Sequence, residues 1–159
     1  MRPDTCPEVC FKSDNRSRGL IRGDDITRPT MRLTLKVLDV TLAICQLEPG
    51  SEVEEWSDGT GIFSVMRTDD EVTVVCSEEL VPEGVHCSKG WKCIRLVGHF
   101  DFSEVGILSQ LALPLAGASV PIFVMSTFNT DYIMVRKQDL QKATEALRMA
   151  GHDIQRDRV

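Results

Sequence analysis

Residues near position 103 are of the types that bind the carboxylate of a small ligand. Ser103 and Glu104 precede an apolar pattern with helical spacing, which predicts Ser103 as the N-cap and places Glu104 in the first turn. The first N–H groups of a helix have no intrahelical acceptor and carry partial positive charge, so they suit a carboxylate. Glu104 either pairs with a ligand ammonium group or only complements the helix dipole. Gly106 has no Cβ, which favours either close approach of a ligand or close packing of helix on sheet.

Asp131 is the acidic residue whose position most needs an explanation. It follows a turn and precedes an apolar strand, where a carboxylate near the core requires a polar partner. One such partner is a cationic ligand side chain. The other is the backbone of the turn, through an Asx-type hydrogen bond. The sequence leaves both interpretations open.

Six cysteines and three histidines raise the question of a metal site, which their spacing disfavours. Cys6 and Cys10 are separated by three residues, and Cys87 and Cys93 by five, so neither pair matches C-x₂-C. Three of the cysteines lie in apolar runs, where a free thiol behaves as a small buried hydrophobe: Cys45, Cys76 and Cys93. We therefore predict neither a metal site nor a cofactor.

Catalytic signatures are also missing from the sequence. It contains no G-x-S-x-G, H-E-x-x-H, Walker A or G-x-G-x-x-G motif. His86 and Cys87 are adjacent, but neighbouring residues of an extended segment point to opposite sides. We predict a non-enzymatic binding module. The alternatives are a regulatory subunit of an amino-acid metabolic enzyme or transporter that acts without a ligand, and a small enzyme on the same scaffold.

Composition sets the remaining bounds. A chain of 159 residues suits one domain or two very small ones. The net charge of −6 argues against nucleic-acid binding, and no apolar run approaches the roughly 20 residues that span a bilayer. Residues 1–30 lack the apolar core of a signal peptide and predict a flexible tail, so we expect a cytoplasmic protein with reduced thiols.

Hydrophobic periodicity predicts an α+β fold. The predicted strands and helices are listed in chain order: strands over 33–44 with a phase change at Leu38-Asp39, strands 62–67, 71–76 and 91–97, a helix 103–117 bent at Pro114, strands 122–127 and 132–136, a helix 138–150, and a short strand 152–155. The last six of these elements follow the order βαββαβ. This is the ferredoxin-like arrangement, with helices on one face of an antiparallel sheet.

The sequence contains an internal repeat. Ile62–Leu80 aligns with Ile122–Leu140 at a constant offset of sixty residues, and Ser51-Glu52-Val53 matches Ser103-Glu104-Val105 at fifty-two. The first copy is therefore about eight residues shorter at the place where the second copy has its helix. A chance match of two apolar hairpins is the alternative explanation.

Three segments resemble a known family. Phe100–Ile107, Leu113–Ala116 and Ile122–Tyr132 are similar to the tandem ACT proteins of bacteria and to the ACT repeats of the CASTOR-type cytosolic arginine sensors of animals. The resemblance covers roughly residues 33–155. It implies two tandem ferredoxin-like (ACT, βαββαβ) modules, a first over 31–90 with an abbreviated helix and a second over 91–159.

The resemblance also implies a site and a partner. In similar sensors a free amino acid lies at a junction of two ACT modules, with its α-carboxylate and α-amino groups at a helix start and its side chain towards a turn. The matching positions are Phe102, Ser103, Glu104, Gly106, Ile107 and Leu108 at the helix start, and Ser126, Thr127, Phe128 and Asp131 at the turn. A homodimer through the second modules would rebuild the junction by two-fold symmetry. The similar sensors and Asp131 favour arginine, and a regulated protein partner is expected.

Overall fold

The structure is a computed structural model that describes residues 31–53, 56 and 61–156. The tail predicted for residues 1–30 lies outside this part of the chain. Most of residues 54–60, where the abbreviated helix of the first module is expected, also lie outside it. Both expectations therefore stay predictions.

Seven strands and two α-helices make up the described chain. Their bounds are β1 Thr34–Leu47, β2 Ser64–Arg67, β3 Val72–Ser77, β4 Cys87–Leu96, α1 Ile107–Gly117, β5 Ile122–Ser126, β6 Asp131–Arg136, α2 Leu140–Met149 and β7 Asp153–Arg156. Short 3₁₀ turns follow β3 and β6. Neither helix is long and apolar enough to cross a membrane. The α+β class with ferredoxin-like character is confirmed.

All seven strands belong to one sheet. Its order is β2-β3-β1-β4-β6-β5, and β7 pairs in parallel with the first residues of β1. β1 and β4 are the long central strands, with 14 and 10 residues. The start of β1 pairs with β7 and its end pairs with β3, whereas β4 pairs with β1 and with β6. We call the first lobe the part formed by β2, β3, the end of β1 and the start of β4. The rest of the described chain is the second lobe.

The phase change predicted at Leu38-Asp39 is a bulge within β1. The register with β4 shifts between Val37 and Thr41, and the strand continues on both sides of the shift. Between these pairs, four residues of β1 lie opposite two of β4, so the shift preserves the alternation of side chains between the two faces of the sheet. Leu35 and Val37 face the helices, whereas Leu42 faces away from them.

The two hairpins of the predicted internal repeat correspond in the structure at an offset of 59 residues, so the predicted offset of sixty is wrong by one residue. Arg67 pairs with Val72 beside the first turn and Ser126 pairs with Asp131 beside the second, in each case 59 positions later. Thr68 and Thr127 begin the two turns with the same hydrogen bonds, from N to the carbonyl three residues on, at 2.9 and 2.8 Å. An offset of sixty would exchange the two faces of every strand, because side chains alternate with a period of two.

The core consists of three apolar clusters. One lies between the second lobe and its helices and contains Leu111, Leu115 and Leu147. Another lies on the corresponding face of the first lobe, around Trp56 and Val74. The third lies on the opposite face and combines both lobes, through the residues Leu42, Val75, Trp91, Cys93 and Met134. This third cluster makes the two lobes share buried apolar surface as well as a sheet.

Helix α1 begins four residues later than predicted. The predicted start at Ser103 is wrong because Gly106 is the N-cap, with a φ of 86° that no helical residue adopts. The predicted end at Gly117 is confirmed. α2 spans 140–149, within the predicted range, and Gly151 ends it with a φ of 97°.

A buried histidine satisfies the carbonyl that Pro114 leaves unpaired. Pro114 lies inside α1 and has no N–H to donate to the carbonyl of Gln110 one turn earlier. The His152 Nε2 lies 3.2 Å from that oxygen, and its Nδ1 accepts the Leu33 N–H at 3.4 Å. His152 is 4% exposed, so both hydrogen bonds are within the core. The bend predicted at Pro114 stays a prediction.

We expect His152→Leu to lower the free energy of unfolding by about 1–3 kcal/mol for each buried group that loses its partner. Urea unfolding of the variant measures this loss. In a Pro114→Ala background, the N–H of the alanine can donate to the Gln110 carbonyl. His152→Leu should then lower the free energy of unfolding by less than it does in the wild type. An equal cost in both backgrounds would contradict the proposed pairing.

Candidate functional site

A cavity of about 210 Å³ lies where the sequence predicts a site. It separates the segment before α1 from the β5–β6 turn. Seven predicted residues line it: Phe102, Glu104, Ile107, Ser126, Thr127, Phe128 and Asp131. Three predicted residues do not line it: Ser103, Gly106 and Leu108. Four further residues do: Phe100, Asp101, Asn129 and Thr130.

The β5–β6 turn forms one wall and is fixed by threonines. The Thr127 hydroxyl donates to the Thr130 carbonyl at 3.0 Å and accepts the Thr130 N–H at 3.3 Å. The Thr130 hydroxyl donates to the Leu96 carbonyl at 2.6 Å, which ties the turn to the end of β4. The Phe100 N–H donates to the Asn129 carbonyl at 3.0 Å and joins the two walls. The cavity therefore has a defined shape without a ligand.

Asp101 organises the opposite wall. Its Oδ1 accepts the Ser103 N–H at 2.9 Å, and its carbonyl accepts the Glu104 N–H at 2.9 Å. The Asp101 N–H in turn donates to the Glu104 Oε1 at 3.2 Å. Hydrogen bonds from Ser103 lower the pKa of the Asp101 carboxyl from its ordinary value, so it carries negative charge at neutral pH. Asp101 thus closes a turn over residues 101–104, and Ser103 does not have the capping role predicted for it.

Gly106 is required for its backbone conformation. Its φ of 86° is in the left-handed region that L side chains rarely adopt. A Cβ added there would meet only the Ser109 Oγ, at 3.6 Å, so close helix–sheet packing is the wrong interpretation. The glycine lets α1 start at Ile107, beside the cavity. In the described chain no acceptor pairs with the N–H groups of Ile107, Leu108 and Ser109.

The charged groups of the cavity are all acidic. Asp101, Glu104 and Asp131 line it, and none of the lining residues is Lys, Arg or His. The Asp131 Oδ1 accepts the Ser126 hydroxyl at 2.5 Å, across the strand pair, whereas Thr127 makes the hydrogen bonds of the turn. No group of three or more His, Cys, Asp or Glu side chains among the described residues is placed to hold a metal ion. The lining therefore suits an organic cation.

Exposed apolar side chains border the cavity. The Phe102 and Phe128 rings meet edge to face with centroids 5.1 Å apart, and both residues are 78% exposed. Phe128 therefore does not fill the core. Val105 is 93% exposed on the same segment. We call these three residues the apolar rim.

Sequence reasoning missed the part of the lining that depends on tertiary contacts. The Asp-x-Ser pattern at 101–103 is a recognisable Asx-turn signal. Phe100, Asn129 and Thr130 give no comparable signal. Phe100 and Asn129 are joined by a backbone hydrogen bond between distant segments, and the Thr130 hydroxyl donates to a carbonyl of β4.

Comparisons with known proteins identify the family. The sequence profile described as "ACT domain" matches residues 86–149, and a second profile, for an N-terminal domain, matches residues 41–84. The crystal structure of protein Atu0741 from Agobacterium tumefaciens is 36% identical, with a TM-score of 0.76, over 81% of this chain and 96% of that one. This chain belongs to the ACT domain family. Aspartate kinase of Clostridium acetobutylicum shares the ACT fold alone, at 15% identity and a TM-score of 0.53, over 73% of this chain and 33% of the kinase.

Curated relatives of this ACT protein include CASTOR proteins. Human CASTOR3P is 32% identical over 54% of this chain. The Bos taurus cytosolic arginine sensor for mTORC1 subunit 1 is 36% identical over 36% of this chain. The ACT protein spans 60% of the length of the first and 18% of the second.

Proposed function

We propose that this ACT protein is a non-catalytic regulatory protein that binds a free amino acid in the cavity between α1 and the β5–β6 turn, with arginine as the first candidate. The observation that carries the proposal is the combination of the start of α1, where Ile107 lines the cavity and its N–H has no acceptor among the described residues, with an acidic lining. These are the two kinds of partner that a zwitterion needs. The cytosolic arginine sensor among the relatives supports the ligand class and a cytoplasmic site of action.

Each end of an amino acid has a partner in this site. The α-carboxylate suits the first N–H groups of α1, which carry partial positive charge. The α-ammonium suits Glu104 or Asp101 on the same wall, and a cationic side chain suits Asp131 on the other. The volume of about 210 Å³ is below the roughly 300–1,000 Å³ of drug-sized pockets, as expected for so small a ligand.

The first repeat lacks the groups on which this proposal depends. At the true offset, Val72 takes the place of Asp131, and it is fully buried. Asp69 and Asp70 take the places of Phe128 and Asn129. An apolar core residue in one copy and a carboxylate in the other indicate a functional difference at that position. We assign ligand binding to the second lobe only.

A homodimer through the second lobes accounts for the apolar rim. The side chains of the apolar rim are 78–93% exposed, and adjacent exposed apolar side chains often mark a surface that a partner covers. A two-fold dimer would place the rim of one copy against the other and enclose the ligand cavity. The ligand would then stabilise the dimer, since it contacts residues at the interface.

Thermal shift and isothermal titration with arginine, lysine and an uncharged amino acid test the proposal. We expect a selective rise in melting temperature with one of the cationic ligands. Analytical ultracentrifugation should show a dimer that the ligand strengthens and that Phe102→Ser with Phe128→Ser weakens. No response to any of the twenty amino acids would favour the alternative, a regulatory subunit that acts without a ligand.

A further inference from the structure

The first lobe contains a cluster of three free thiols. Cys45 in β1, Cys76 in β3 and Cys87 in β4 belong to or pack against the same apolar cluster. Cys45 and Cys87 are directly opposite residues of the antiparallel β1–β4 pair. The next pair along the strands is hydrogen-bonded, since the Gln46 N–H donates to the His86 carbonyl at 3.0 Å. Pairs alternate in an antiparallel ladder, so Cys45 and Cys87 form a non-hydrogen-bonded pair.

Non-hydrogen-bonded pairs have the geometry of a cross-strand disulfide. Their Cα atoms are about 4.5 Å apart and their side chains lie on the same face of the sheet. Disulfides span Cα separations of roughly 4.4–6.8 Å, so this pair can be bridged with little movement of the backbone. Cys76 is opposite Ala43 and is therefore diagonal to Cys45. The Cα atoms of diagonal neighbours are about 7–8 Å apart, which is beyond this range. The Cys45 thiol contacts the thiols of both Cys76 and Cys87, so the backbone separation distinguishes the two candidate bridges.

One of the two opposed thiols, Cys87, is also accessible from solvent. Both line a cavity of about 270 Å³, together with His86, Glu71 and Ser88. Cys87 is half-buried, whereas Cys45 and Cys76 are 1% and 0% exposed. Burial raises the pKa of the Cys45 thiol to about 12 and also raises the pKa of Cys76. A small oxidant that enters the cavity therefore meets Cys87 as the more reactive thiol.

We propose that Cys45 and Cys87 are a reversible redox pair that hydrogen peroxide or a similar small peroxide converts to a disulfide across β1 and β4. The Cys87 thiolate attacks one peroxide oxygen, the O–O bond breaks, and Cys87 sulfenic acid and hydroxide form. The Cys45 sulfur then attacks the Cys87 sulfur and forms the S–S bond. Water leaves with the Cys45 proton. The two thiols lose two electrons in total, and the peroxide gains them.

This disulfide would join the two strands that both lobes share. It would fix β1 against β4 next to the first-lobe cavity and remove both thiols from the cavity lining. Exposed disulfides are the more easily reduced, regulatory ones, and the Cys87 side of this bond is open to a reductant. A cellular thiol reductant would restore the open pair. The site lies in the first lobe and does not depend on the proposed ligand site.

Disulfide mapping of the peroxide-treated full chain tests the proposal. After alkylation of the remaining thiols, the protein is digested and analysed by mass spectrometry. Trypsin alone leaves Cys76 and Cys87 on one peptide, because no lysine or arginine lies between them. A glutamate-specific protease separates them at Glu78, Glu79 or Glu83. We expect a cross-linked species of the Cys45 and Cys87 peptides, lighter by two hydrogens, that dithiothreitol reverses.

Matched variants distinguish this pair from other oxidation products. Cys76→Ser should retain the cross-link, whereas Cys87→Ser should reduce it to background. The proposal is overturned if the wild-type chain links Cys45 to Cys76, if Cys87 ends only as sulfinic acid, or if Cys87 stays alkylatable. The wild-type map decides these outcomes even if a variant fails to fold.

Discussion

Asp131→Asn is expected to weaken arginine binding by about ten- to more than a hundredfold. The change removes a charge-assisted hydrogen bond of about 1.5–3 kcal/mol between the carboxylate and the ligand side chain. An asparagine Oδ1 can still accept the Ser126 hydroxyl, so the strand pair that positions the residue is retained. Isothermal titration with arginine measures the loss, and thermal unfolding without ligand should show little change.

Asp39→Asn is the matched control for this experiment. Asp39 is exposed at the bulge of β1 and does not line the cavity, so its removal changes the net charge equally. We expect the control to bind arginine like the wild type. An uncharged amino acid should lose much less affinity in Asp131→Asn than arginine does. Equal affinity of the wild type and Asp131→Asn for arginine would exclude Asp131 as the partner of the side chain.

Leu42→Ala is expected to lower the free energy of unfolding by about 2–5 kcal/mol. Leu42 is fully buried in the cluster that combines residues of both lobes. Truncation leaves a cavity there, and the side chains around it belong to the first and the second lobe alike. We therefore expect the whole described chain to lose stability together, as one transition in urea at a lower midpoint.

Met66→Ala provides the comparison, because Met66 is in the first lobe and 66% exposed. Its change should cost less than about 0.5 kcal/mol. Two separate transitions in the wild-type chain, one lobe unfolding before the other, would contradict the shared cluster as a source of cooperativity. Tryptophan fluorescence, from Trp91 in that cluster and Trp56 in the first-lobe cluster, and circular dichroism provide independent probes.

Local patterns in the sequence predicted most of the elements, although the two strands predicted over 33–44 form the single strand β1 and β4 begins at Cys87 rather than Trp91. Alternation located the strands, and the change of phase at Leu38-Asp39 located the bulge of β1. The offset of the repeat was less well determined, because apolar residues on adjacent strands match almost equally well when shifted by one. The sequence alignment matched Val75 with Val135 by residue type. In the structure, Val75 is equivalent to Met134, because both lie on the face that the two lobes share, whereas Val135 lies on the other face.

The candidate site was predictable in position and less so in detail. Ser103 has the residue type of an N-cap, but Gly106 has a positive φ that sequence patterns do not report, and it delays the helix. The Asp101 carboxylate accepts the N–H of Ser103 in a turn before the helix, and no side chain caps α1. The opposition of Cys45 and Cys87 depends on the register of strands that are far apart in the sequence, so no spacing rule reveals it.

The pairing of β7 with the first residues of β1 sets a limit on how this protein can be divided. A fragment that starts at residue 91 retains both helices of the second lobe but loses the strand that lies between β4 and β7. Residues 34–37 would have to be supplied in trans or grafted onto the fragment before its sheet could close. A chimera that exchanges the second lobe must therefore include residues 34–37. Without them, β4 and β7 would have no strand between them to pair with.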